Sequence, residues 1–216
     1  MESEANSIGW LEGVLRRSSP FFDARPAGET ISVAVIHFIS LPAGEYGGDE
    51  VDRLFTGRMT PECPDYASLK GLRVSSHFFI RRTGETLQYV NLFERAWHAG
   101  LSNFRGRNAV NDFSVGIELE GCGEEPFEDA QYQALGGLLD RLSRILPLRF
   151  ATGHETIAPG RKNDPGPFFD WMRLSRMLPS GMSIATAPED CDREMLSRRM
   201  AELGLSMDAQ KALMRP

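Results

Sequence analysis

The spacing of apolar positions divides the chain into short segments of two periods. Residues 31–38 form a β-branched run closing on His37 and Phe38, the pattern of a buried strand. Residues 73–80 and 86–91 predict two further strands, joined by a hairpin turn over 81–85 in which Gly84 takes positive φ. Residues 113–120 predict another strand: Val115, Ile117 and Leu119 share one face, and Ser114, Gly116, Glu118 and Glu120 the other. Over 127–145 the period becomes helical, with Tyr132, Leu135, Leu138, Leu139, Leu142 and Ile145 on one side. Shorter helices are expected over 8–17 and near 168–177. Strands mixed with helices, one pair of them a hairpin, predict an α/β (α+β) fold, a sheet partly covered by helices.

After residue 181 the composition shifts. Residues 188–203 are charged and suited to a helix, with Met195, Leu196, Met200 and Leu203 as an apolar stripe. An amphipathic tail packed on the domain, or on a partner, is the simplest reading. Residues 41–48 read as a loop, and they lack the spacing and the Lys-Ser/Thr ending of a phosphate loop.

Composition narrows the function classes. The 216 residues suit one domain with a full core and a modest appendage. A net charge of -6 disfavours nucleic acid and anionic membrane surfaces as partners, since both require clustered Lys and Arg. The first residues have neither a basic nor an apolar region of a secretory signal, and no apolar run approaches a membrane span. Three scattered cysteines (Cys63, Cys122 and Cys191) make no disulfide framework or zinc ribbon and suit a reducing compartment.

The candidate chemistry concentrates in residues 151–167, where His154, Lys162 and Asp164 share a stretch stiffened by Pro159, Pro165 and Pro167. An imidazole and a carboxylate form half of a metal site, because catalytic zinc takes three protein ligands and keeps one position open. Asp164 precedes a proline and is biased toward extended backbone, so Lys162 and Asp164 face one side. A lysine there suits the oxyanion of an attacked carbonyl better than the metal itself. On this stretch alone, a surface lysine beside a turn aspartate is the slightly favoured reading. The chain has four histidines, His37, His77, His98 and His154, any one of which alone is more often structural than a ligand. On the strand at 113–120, Gly116 leaves room beside Glu118, a carboxylate placed to accept a proton from water and pass it to a leaving amine. The same alternation is common on solvated faces.

Five segments in order, 36–48, 72–77, 95–100 (Arg-Ala-Trp-His-Ala-Gly), 111–121 and 153–167, resemble the zinc N-acetylmuramoyl-L-alanine amidases, a superfamily that includes the peptidoglycan recognition proteins. The likeness covers roughly 8–178 and is closest to the cytoplasmic branch acting on 1,6-anhydro-muropeptides. It implies a mixed central β-sheet flanked by helices, an amidase domain over 1–180, and a tail over 181–216 with no counterpart. It implies Zn²⁺ held by His37, His154 and Asp164, with Glu118 as acid/base and Lys162 as oxyanion donor. Arg73, on the strand face of His77, is implied in substrate binding; Trp97 suits the sugar or peptide site and equally a core position, while His77 and His98 are not ligands in the family. The implied reaction splits the amide between anhydro-N-acetylmuramic acid and L-alanine in the cytoplasm. Ser76 stands where more distant relatives carry a catalytic tyrosine, which leaves proton transfer to Glu118. Phe38 replaces a family asparagine and Ala109 a family arginine, both on the substrate side. A prophage-type endolysin and a muropeptide-binding protein without turnover are the alternatives.

Overall fold

The computed structural model describes residues 8–59, 66, 69 and 71–205. Its centre is a seven-stranded sheet in the order β1-β5-β4-β9-β3-β10-β11. The strands are β1 (Leu15–Arg16), β3 (Val33–Ile39), β4 (Phe78–Ile80), β5 (Thr86–Gln88), β9 (Ser114–Glu120), β10 (Phe150–Gly153) and β11 (Ser183–Ile184). Two small ribbons lie outside it: β2 (Phe22–Ala24) with β6 (Glu94–Ala96), and β7 (Asn103–Phe104) with β8 (Arg107–Asn108). β3 runs parallel to β9 and β10, while β4 and β5 form the antiparallel hairpin, with Gly84 at φ 85°. The sheet is therefore mixed, in agreement with the family's expected architecture.

Alternation along β3 and β9 produces two unlike faces. Ala34, Ile36, Val115, Ile117 and Leu119 turn to α2 (Asp129–Ser143), whose Tyr132, Leu135, Leu138, Leu139 and Leu142 bury against them. Each such leucine contributes about 1.5–3 kcal/mol by leaving water. Glu128 and Gln131 form a capping box that starts this helix. Ile145 falls past the helix end and is exposed, so the stripe is shorter than its period suggests. The opposite face carries Val33, Val35 and His37 of β3, and Ser114, Gly116, Glu118 and Glu120 of β9. It is closed by Ala99, Phe104, Val110, Phe113 and Ile157 rather than by solvent. α1 (Glu50–Phe55) covers Phe79 and Leu87 on the hairpin end.

Two expected elements differ. Residues 8–17 form turns and β1, not a helix: Gly9 and Gly13 take φ of 91° and 72°, and Gln88 Oε1 accepts the Leu11 N–H at 2.8 Å. The strand expected over 73–80 is regular only at Phe78–Ile80. Before it, Ser75 bonds the Trp97 backbone and His77 bonds Gly116, so these residues join a loop instead of extending a ladder. Arg73 is thus exposed outside the strand and shares no strand face with His77.

Near the end of the chain, α4 (Trp171–Ser175) packs beside α2, β11 extends the sheet past β10, and α5 (Arg193–Glu202) buries Leu196 and Met200 against Cys191 and Leu101. Leu203 stays exposed. The remainder of the expected tail, 206–216, and Cys63 lie outside the described residues. Among the described residues no helix is long and apolar enough to cross a membrane.

Candidate metal centre

Parallel pairing of β3 with both β9 and β10 brings distant residues to one spot. His37 is the register partner of Glu118, while Gly153 pairs with Ile36 and hands the chain to α3 (His154–Ile157), which begins with His154. The loop after α3 returns to the sheet, where Glu155 N–H donates to the Asp164 carbonyl at 2.8 Å. His37, His154 and Asp164 are all buried. Their Nδ1, Nδ1 and Oδ2 atoms form a triangle: 3.0 Å between the imidazoles, 2.9 Å from His37 to Asp164 and 3.1 Å from His154 to Asp164.

The donor set fits a divalent cation. Two imidazole nitrogens facing each other beside a carboxylate bring electron-rich atoms together out of water, an arrangement that a cation relieves. Zinc–ligand lengths of about 2.0–2.2 Å set tetrahedral ligand atoms about 3.3–3.6 Å apart, so the triangle needs to open by only a few tenths of an ångström. Burial acts to raise the Asp164 carboxyl, but the imidazoles of His154 and His37 hold it well below the usual carboxylate range. Burial pulls His154 down to about 4, keeping it neutral as a ligand requires. Its Nε2 lies 3.0 Å from the Ala99 carbonyl and 3.2 Å from Arg161 Nη2; the tautomer that a metal ligand requires puts the ring proton on Nε2, toward the carbonyl, and the lone pair on Nδ1.

Glu118 lies on the same sheet face, 8% exposed, with no hydrogen-bond partner for Oε2 among the described residues. Burial pushes its carboxyl up to about 7; Asp164 adds to this, while His37 and Lys162 oppose it. Burial likewise lowers the Lys162 ammonium, with Asp164 and Glu118 working against that. Lys162 and Glu118 thus act on each other across one site. A carboxyl titrating near neutrality is suited to take up and release a proton at working pH.

The expected substrate contacts, Trp97 and Arg73, lie together. Trp97 stacks on Phe21 (centroids 6.4 Å apart), donates from Nε1 to Asp23 at 3.0 Å, and lies 5.4 Å below the exposed guanidinium of Arg73. The Phe38 ring points away from the histidine triangle and packs between glycines: a Cβ on Gly123 would meet it at 2.6 Å. Ala109 is exposed at φ 59°.

Sequence reasoning missed several participants. The room beside Gly116 is taken by a side chain of this chain and not by a ligand: a Cβ there would meet the His98 ring at 2.5 Å. His98 Nδ1 in turn lies 3.0 Å from His37 Nε2. Arg161, adjacent to Lys162, donates to the carbonyls of Ala99 and Leu101 at 2.6 and 2.7 Å. His77, which burial pulls down to about 3, accepts the Gly116 N–H at 3.0 Å and is structural. Gly116, read from sequence as room beside Glu118, was the one signal that pointed toward this packing.

Known proteins resemble this chain along most of its length. The chain is 51% identical over 169 residues to the 1,6-anhydro-N-acetylmuramyl-L-alanine amidase AmpD of Escherichia coli, a match covering 77% of this chain and 92% of that protein. It is 47% identical to AmpD of Haemophilus influenzae, over 76% of this chain and 92% of that one. Among solved structures, a selenomethionine AmpD superposes with a TM-score of 0.76 at 48% identity, covering 79% and 97% of the two chains. Escherichia coli AmiD, solved with anhydro-N-acetylmuramic acid-L-Ala-D-gamma-Glu-L-Lys, superposes with a TM-score of 0.53 at 30% identity, covering 71% and 60%. The family model for N-acetylmuramoyl-L-alanine amidase matches residues 27–167, which takes in the histidine triangle, Glu118 and Lys162, and the chain belongs to that family.

Proposed function

We propose that the chain is a zinc amidase of cytoplasmic cell-wall recycling. It hydrolyses the amide between the lactyl group of anhydro-N-acetylmuramic acid and L-alanine in soluble muropeptides. One observation supports this reading most: a triangle of donors able to hold an ion and a carboxyl oxygen without a partner among the described residues share one buried face. His37, His154 and Asp164 would hold the ion. Zinc bound there supplies Lewis acidity, polarising the scissile carbonyl and bringing the pKa of water toward about 7.

The protein's own groups do the rest. Glu118 accepts a proton from the attacking water on Oε2 and delivers it to the leaving nitrogen of L-alanine, a role that its carboxyl near 7 suits. The Lys162 ammonium faces the negative charge that develops on the lactyl oxygen. Arg73 offers a charged fork above the Trp97 and Phe21 rings, chemistry able to pair with carboxylates of the stem peptide. The amidase unit spans 1–180, and the segment from 181 onward is an appendage whose described part, 181–205, packs on it through β11 and α5. The substrate named here supplies the partner; neither nucleic acid nor membrane is required.

Zinc-loaded protein incubated with anhydro-muramyl tripeptide should release free tripeptide, read by mass spectrometry. Release from insoluble sacculi alone would turn the reading toward an endolysin. Binding of the tripeptide by zinc-loaded protein with no hydrolysis would reduce the chain to a muropeptide-binding protein.

A further inference from the structure

The ion-site histidines each have a second ring nitrogen, and both of these meet the same short segment, 97–99. His154 Nε2 meets the Ala99 carbonyl at 3.0 Å. His37 Nε2 meets the His98 ring at Nδ1, also at 3.0 Å. The segment is clamped from behind. Asn111 Oδ1 accepts the N–H of His98 at 3.2 Å and of Ala99 at 2.8 Å. Ser75 accepts the Trp97 N–H on Oγ at 3.0 Å and donates its own N–H to the Trp97 carbonyl at 3.2 Å. Gly116 leaves the space that the His98 ring fills, so the ring is held from the sheet side as well.

The two contacts differ in what they dictate. A carbonyl can only accept, so the Ala99 contact favours the His154 proton on Nε2, with Arg161 Nη2 3.2 Å from the same nitrogen. An imidazole can do either, so the proton on His37 depends on the proton on His98. The far side of His98 matches the tautomer that an ion on His37 Nδ1 requires: its Nε2 lies 3.3 Å from Ser114 Oγ, a hydroxyl that turns to accept or donate as the ring demands. A proton on His98 Nε2 leaves Nδ1 as a lone pair. That lone pair accepts from His37 Nε2, and His37 Nδ1 then points its own lone pair at the triangle.

We propose that His98 is the positioning residue for His37, selecting through the chain His37–His98–Ser114 the tautomer that offers Nδ1 to the ion. The inference rests on the metal-centre reading above. His98 does not touch the ion site; it acts through the ring of His37. Partners of this kind, when removed, typically cost about 10–100-fold in metal affinity.

The test is a long-range ¹H–¹⁵N spectrum of the histidine rings in zinc-loaded protein, with zinc affinity measured by chelator competition. His37, His154 and His98 should all carry their protons on Nε2. His98→Ala should weaken zinc binding about 10–100-fold. His98→Asn, whose Oδ1 can stand where Nδ1 stood, should recover most of it, which a merely space-filling role would not require. Zinc binding with His98 protonated on Nδ1 overturns this inference alone, as does His98→Ala with wild-type affinity. Failure of the wild-type protein to bind zinc overturns the metal centre and this inference together. The wild-type spectrum decides the matter even if a variant does not fold.

Discussion

Glu118 and Glu120 stand on one face of β9, and the regions around them treat a carboxylate in opposite ways. Glu120 is fully engaged: Oε1 accepts the Gly47 N–H at 2.7 Å, Oε2 accepts the Arg82 N–H at 2.9 Å, and Arg81 lies 3.7 Å away. It ties the loop after β3 and the β4–β5 hairpin to the sheet. Glu118, also buried, has an oxygen with no partner among the described residues and a carboxyl pushed up to about 7. A satisfied acid stabilises the fold. An unsatisfied acid costs stability and keeps its lone pair for a reacting proton. Alternation put both on the same face; only the neighbours brought in by other segments separate the structural acid from the chemical one.

Perturbations of the Glu118 region should hit chemistry and those of the Glu120 region should hit folding. The largest effect is expected for His154→Ala, which should abolish zinc binding in chelator competition and reduce turnover to background. Lys162→Met should keep its zinc and lose about 10²–10³-fold in kcat, the loss typical of one oxyanion donor. In metal-stripped protein, Glu118→Gln should be more stable than wild type above pH 7 by about 3 kcal/mol, measured by urea unfolding. The sign follows from a carboxyl raised in the folded state. Below its ordinary value of 4.5 it is protonated folded and unfolded, so there is no penalty. Between 4.5 and about 7 the unfolded chain ionises first, so wild-type stability falls across that window. A variant with no such gain at pH 8 would mean that Glu118 is better solvated or paired than its geometry indicates. Glu120→Gln should instead destabilise by about 1–3 kcal/mol, because one amide group must face a backbone N–H that needs an acceptor.

The legible parts of the molecule are those in which one segment decides its own fate. The two faces of β9, the hairpin around Gly84 and the α2 stripe follow from local period, and β3 was placed to within two residues by its β-branched run. Residues 8–17 misled because the spacing of Ile8, Leu11, Val14 and Leu15 is helical while Gly9 and Gly13 let the backbone turn and Gln88 captures an N–H from a distant strand. The site was legible in its residue types but not in its wiring. The His37 strand and the His154 loop look unrelated until β3 pairs with β10, and the contact of His98 with His37 depends on a loop clamp supplied by Asn111. Gly116 was readable as a gap, but only the folded chain shows that His98 fills it.

The most direct test of the contrast is kcat on anhydro-muramyl tripeptide for Glu118→Gln beside Glu120→Gln, both at matched zinc content. Glu118→Gln should fall by about 10²–10⁴-fold, the usual worth of a positioned acid/base, while Glu120→Gln stays within a few-fold of wild type. Equal losses in the two variants, or an active Glu118→Gln, would contradict the assignment of proton transfer to Glu118.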